Sequence, residues 1–149
     1  MKRFLQQIKT AFDPEEPTRT HSEEDLQLAA AVLMVELSRA DYEVDEAEQR
    51  AVRHAVVRHF NLSDSEADEL IEAAEAEADA AVSLYRYTGL INAHWGPGEK
   101  ARLIEMLWRI TFSDEEMHHY EEHLVRRLSD LLHVPHREFL KAKHRVQDE

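Results

Sequence analysis

The sequence predicts an all-α fold, a single compact bundle of about seven to eight helices. Three observations predict it. Apolar residues recur with the helical period in nearly every segment, and no segment alternates like a strand. Only 3 Gly and 4 Pro occur, too few for the many turns of a β sandwich or barrel. The connections between periodic segments are short, which implies antiparallel neighbours around one core. With 149 residues the chain has the length of one domain.

The elements follow in order. Phe4, Leu5, Ile8 and Phe12 form one stripe on a short basic helix. Residues 13–22 hold Pro14 and Pro17 and form a linker, so residues 1–22 stand apart from a helical domain over 23–149. Ser22 with Asp25 is a candidate capping box for a long helix whose apolar face is Leu26, Ala29, Ala30, Leu33, Leu37 and Ala40. That helix stops near Asp41, and a turn covers Tyr42 to Val44. Asp45 with Glu48 forms the next candidate box, ahead of Val52, Ala55, Val56 and Phe60. Asn61 ends this helix. Ser63 with Glu66 caps an Ala- and Glu-rich helix that turns Leu70, Ile71, Ala74 and Ala78 inward. A helix over about Ser83 to Ala93 carries Leu84, Tyr87, Leu90 and Ile91. After Gly96, Pro97 suits a first helical turn, because its missing amide hydrogen has no partner to lose there. The helix behind it, to about Ser113, holds Leu103, Ile104, Leu107, Trp108 and Ile110. Helices from about His119 to Leu132 and from Pro135 complete the chain. Tyr85, Tyr87 and Trp108 lie at helical spacing and are assigned to the core, and Trp95 to a plug at the bundle end.

The formal charge is −13, from 31 acids against 18 Lys and Arg. Nucleic acid is therefore not an expected partner, since phosphate contacts need a basic face. Between Asn61 and Tyr85 there are eight acids and no Lys or Arg. Such a surface attracts cations, either metal ions or basic partner segments, and as a charged helix face it also simply solvates the chain. The absence of Cys excludes disulfides, thiolate metal sites and cysteine nucleophiles, and suits a reducing compartment. Gln6, Gln7 and Lys9 interrupt any apolar signal core, and no run of about 18 apolar residues exists. The expected location is the cytoplasm. No Gly-rich phosphate loop or nucleophile constellation is present, so no enzyme is predicted. The basic stripe of residues 2–12 suits weak contact with an anionic membrane surface, or docking on the bundle or a second copy.

The chain also matches itself. Met34, Leu37, Ala40, Asp41, Val44, Asp45, Glu48 and Val52 align with Leu107, Ile110, Ser113, Asp114, Met117, His118, Glu121 and Val125 at an offset of 73. At an offset of 72, Leu62 aligns with Val134. Each copy is a helix–turn–helix with Asp at the end of the first helix and Glu seven residues later.

The stretches LMVELSRADYEVDEAEQRAV, NLSDSEADEL and LIEMLWRITFSDEEMHHYEEHLV resemble the tellurite-resistance TerB-like family, over about Glu23 to Lys141. The resemblance implies an all-helical, pseudo-symmetric, non-enzymatic domain associated with tellurite and chemical-stress resistance. It also implies acidic metal sites and protein partners, some of them membrane-associated. Carried over by position, the acidic sites are Asp41 and Glu48 in the first copy, and Asp114 and Glu121 in the second. The family's usual Gly after the Asp is replaced by Tyr42 and Glu115, and His118 and His119 stand where acids are more usual.

Two constellations have metal-ligand spacing. Asp41, Glu43, Asp45 and Glu48 place four carboxylates around one turn, the oxygen-rich set that Ca²⁺, Mg²⁺ or Mn²⁺ takes. An EF-hand is excluded, because its sixth and twelfth positions would be Glu46 and Val52. Capping of the following helix explains the same acids without an ion. His119 and His123, one helical turn apart, have the spacing of a Zn²⁺ pair. They also complete H-x-x-E-H, but the chain is too short for that protease fold, and a solvated helix face accounts for the pattern. The expected function is a TerB-like stress-response domain that binds divalent metal through acidic turns and docks a protein. The alternative is a metal-free helical interaction or scaffold module.

Overall fold

The computed structural model describes residues 23–39, 46–81, 83–113 and 119–149, the side chains of residues 119 and 120 excepted. These residues form seven helices and no strand: α1 (Glu23–Ser38), α2 (Glu46–Phe60), α3 (Asp64–Ala80), α4 (Tyr85–His94), α5 (Pro97–Phe112), α6 (His119–Leu131) and α7 (His136–Gln147). The expected N-terminal helix and linker lie outside the described residues, as does the Ser22 cap.

The core is built around α1, and here the structure corrects a one-faced expectation. Thirteen of its sixteen residues are buried, from Asp25 to Val35 together with Leu37 and Ser38. Residues 28–34 run Leu-Ala-Ala-Ala-Val-Leu-Met without a polar break, and a helix that is apolar all round belongs inside. It packs against α2, α3, α4, α5 and α6. The small side chains of Ala29, Ala30 and Ala31, all fully buried, let these neighbours approach closely.

Capping chemistry sets the helix ends. Ser63 Oγ accepts the Glu66 amide at 3.2 Å, and Glu66 Oε1 accepts the Ser63 amide at 3.0 Å, the expected reciprocal box. Gly96 has no side chain, so only the return half exists there, from the Gly96 amide to Glu99 Oε1 at 3.4 Å. Helices α2 and α6 end alike. Asn61 and His133 take left-handed φ values of 54° and 59°. The next amide returns to the last helical turn in both, Leu62 to the Val57 carbonyl at 3.2 Å and Val134 to the Ser129 carbonyl at 2.9 Å.

The matched ends reveal how far the internal repeat extends. Helices α1, α2 and α3 correspond to α5, α6 and α7, with α4 inserted between the copies. The buried Ala67, Leu70 and Ala74 of α3 have buried counterparts in Phe139, Ala142 and Val146 of α7, at the offset of 72. Within the core Trp108 stacks on Phe112 at 5.3 Å and lies 5.2 Å from Phe139. Trp95 caps the end of α4 and is buried. Tyr87 is buried and donates to Glu77 Oε1 at 2.8 Å. Burial and this bond push the Tyr87 hydroxyl well above its ordinary pKa. Tyr85 departs from its expected core position and is 65% exposed. It is the first residue of α4, and its neighbour two residues on faces the core instead.

Candidate acidic turn sites

The two copies place one acid each at an equivalent position. α1 closes with Ser38, whose hydroxyl donates to the Val35 carbonyl at 2.8 Å. α5 closes with Thr111 and Ser113, donating to Leu107 at 3.0 Å and Ile110 at 2.6 Å. These back-bonds satisfy the hydroxyls at the helix ends. The following helices run from Glu46 and from His119, and the third residue of each is a glutamate. Glu48 and Glu121 are both 0% exposed. An ionised carboxylate withdrawn from water costs several kcal/mol, so such a group needs compensation by charge or hydrogen bonds. The positive end of the helix dipole supplies part of it. Both glutamates also take part in polar or electrostatic interactions. Asp25 in α1 is a third fully buried acid.

The other acidic candidates, Asp41, Glu43, Asp45 and Asp114, lie outside the described residues. His123 is exposed on α6, whereas Glu121, two residues earlier, is buried. The helix therefore turns these two side chains to different sides, and Glu121 does not join a His123-centred ligand set. The side chain of His119 is outside the description. Among the described residues no group of three or more His, Asp or Glu side chains is arranged to hold a metal ion.

Two concavities open between the described helices. The first, about 350 Å³, opens between α1, α2 and α3 over Val35, Val52 and Ile71, with Gln49, Glu75 and Asp79 around it. Arg39 pairs with Asp79 at 2.6 Å on its rim. The corresponding place in the second copy is filled. Trp108 replaces Val35 and Lys143 replaces Ile71, and Lys143 Nζ lies 5.3 Å from the Trp108 ring and 3.2 Å from Glu122, the counterpart of Gln49. The second concavity lies between α2, α5 and the end of α7, and its volume is about 670 Å³. It gathers His54, Arg58, His59 and Arg109. Sequence reasoning missed this cluster. His54 and Arg58 lie one helical turn apart and are visible as a pair, but Arg109 arrives from a helix some fifty residues away.

The family model described as "Tellurite resistance protein TerB" matches residues 27–144, most of the chain and all seven described helices in whole or part. Comparison with curated proteins and with solved structures gives no match.

Proposed function

Because the chain belongs to the TerB tellurite-resistance family, we propose that it is a non-enzymatic stress-response module that binds divalent cations at its two acidic inter-helix turns and docks a protein partner. The observation that carries this reading is the matched burial of Glu48 and Glu121 at equivalent positions of the two copies. Each stands beside a turn whose sequence supplies further carboxylates: Asp41, Glu43 and Asp45 in the first, Asp114 in the second. A hard cation such as Ca²⁺, Mg²⁺ or Mn²⁺ is held by clustered oxygens of this kind. Its charge would offset the desolvated glutamate and fix the angle between the helices on either side of the turn.

Thermal unfolding of chelator-treated protein, with and without excess Ca²⁺, Mg²⁺, Mn²⁺ or Zn²⁺, tests the proposal. A cation at 100 times its Kd that binds only the folded chain adds about 2.7 kcal/mol, or roughly 5–10 °C in Tm for a domain of this size. The expected result is a rise with Ca²⁺ or Mn²⁺ that disappears in the double variant Asp41→Asn, Asp114→Asn. An undiminished rise in that variant refutes the turn sites. A rise with Zn²⁺ alone assigns binding to His119 and His123 instead.

If no ion moves Tm, the metal-free interaction module stands, and one observation favours it. The open groove of the first copy is flanked by Glu75 and Asp79, whereas the corresponding place in the second copy is filled by Lys143 against Glu122 and Trp108. A partner's Lys or Arg side chain matches that chemistry.

A further inference from the structure

We propose that the concavity between α2, α5 and the end of α7 is an oxyanion site for a small phosphate-bearing ligand, with the Glu149 carboxylate as its built-in competitor. The chain carries a charge of −13, yet here basic side chains converge. Arg109 Nε donates to both carboxylate oxygens of Glu149, at 2.9 and 3.1 Å, and Nη2 donates to Oε1. This is the forked geometry by which guanidinium groups hold carboxylates and phosphates. The third nitrogen, Nη1, is shielded from solvent and has no hydrogen-bond partner among the described residues. Arg109 Nη2 also lies 3.9 Å from Glu105 Oε2, and neither carboxylate uses Nη1.

The positive field extends beyond Arg109. The Arg109 hydrogen bonds, with the charges of Arg109 and Arg58 beside them, hold the Glu149 carboxyl below its ordinary pKa. Arg58 and His54 make no ion pair among the described residues, one helical turn apart on α2. A planar carboxylate engages one edge of one guanidinium. A tetrahedral phosphate directs its oxygens several ways and carries the second charge that two arginines match. The volume of about 670 Å³ far exceeds a lone carboxylate, and Phe112 and Val146 give it an apolar wall suited to an organic ester. Glu149 is 51% exposed and Arg109 31%, so the internal pair is one that an incoming anion can exchange.

Titration calorimetry and NMR of the full chain at pH 7 and low salt, with inorganic phosphate and phenyl phosphate as probes, test the site. Saturable binding with shifts of the His54 and His59 ring signals is expected. Bound anion should also raise the His59 pKa, which burial and the cations Arg109 and Arg58 depress. The groups facing His59 are His54 and Arg58 on α2, Glu105 and Arg109 on α5, and Glu149 after α7. Glu149→Gln should bind about two- to fivefold more tightly, the scale of an exposed ion pair. Arg58→Gln and Arg109→Gln should each weaken binding about tenfold or more. Arg58 is exposed, so its variant tests the site even if Arg109→Gln fails to fold. Tighter binding of phenyl phosphate supports an organic ester as ligand, and equal binding supports the free ion. The proposal fails if neither probe saturates, if Arg58→Gln binds as the parent does, or if Glu149→Gln binds no more tightly.

Discussion

Glu36 illustrates how one side chain can cost stability in a folded helix. It sits near the end of α1, half-withdrawn from water, with Asp79 close by and Arg39 only partly offsetting both. Burial, above all, raises its pKa above the usual glutamate value. A raised carboxyl pKa means the folded chain holds the proton more tightly than the unfolded chain. The residue therefore costs stability at neutral pH, and the cost disappears as pH falls through the raised value toward the ordinary one. Glu36→Gln should unfold at a higher temperature than the parent at pH 7, by a degree or two, since partly exposed sites move stability by about 0.5 kcal/mol or less. Below pH 4 the two melting curves should coincide. A gap that persists at low pH assigns the effect to packing and not to charge. Glu48 and Glu121 are more completely buried than Glu36, and both stand in the first turn of a helix, where the dipole favours the ionised form.

Helix ends decide the next scale. α2 and α6 both stop on a left-handed residue, and neither is glycine. A side chain in that conformation costs roughly 1–2 kcal/mol, somewhat less for Asn. Glycine removes the strain but loses about 0.5–1 kcal/mol through the greater freedom of its unfolded chain. The first effect is larger at His133, whose side chain is exposed. His133→Gly should therefore raise stability by about 0.5 kcal/mol, and His133→Val should lower it by more, both read from denaturant midpoints. A destabilised His133→Gly would mean that the imidazole makes a contribution beyond the turn. The Ser63 box was legible in the sequence because its signal is local: a serine, a glutamate three residues on and an apolar run behind them. Tyr85 was not legible. A residue at a helix start has the same local pattern whether that end faces the core or the solvent.

Across the whole molecule, two three-helix copies share one core through α1. This helix touches α2 and α3 of its own copy and α5 and α6 of the other. Neither copy closes its core without it, so the domain should unfold in one transition. Leu33→Ala, at a fully buried position of α1, should cost about 2–5 kcal/mol. Native-state hydrogen exchange should show protection falling together in α3 and α7. Loss confined to α3 would mean that the copies are separate cooperative units. The copies have also diverged. Trp108 and Lys143 close the groove of the second, and the corresponding groove of the first stays open beside Glu75 and Asp79.

The all-α class, the order of the helices, the helix–turn–helix repeat and the TerB resemblance were all readable from residue order. Each rests on interactions within a few residues or on a pattern repeated along the chain. Period, caps and breakers act locally, so the sequence displays them directly. The tertiary structure decided three other things. It made α1 central, because its apolar run over residues 28–34 is buried all round only once five partner helices surround it. It carried the repeat into α3 and α7, where sequence identity has faded but the inward positions still coincide. And it brought Arg109 and Glu149 to Arg58 and His59, a convergence across three helices that no spacing along the chain encodes.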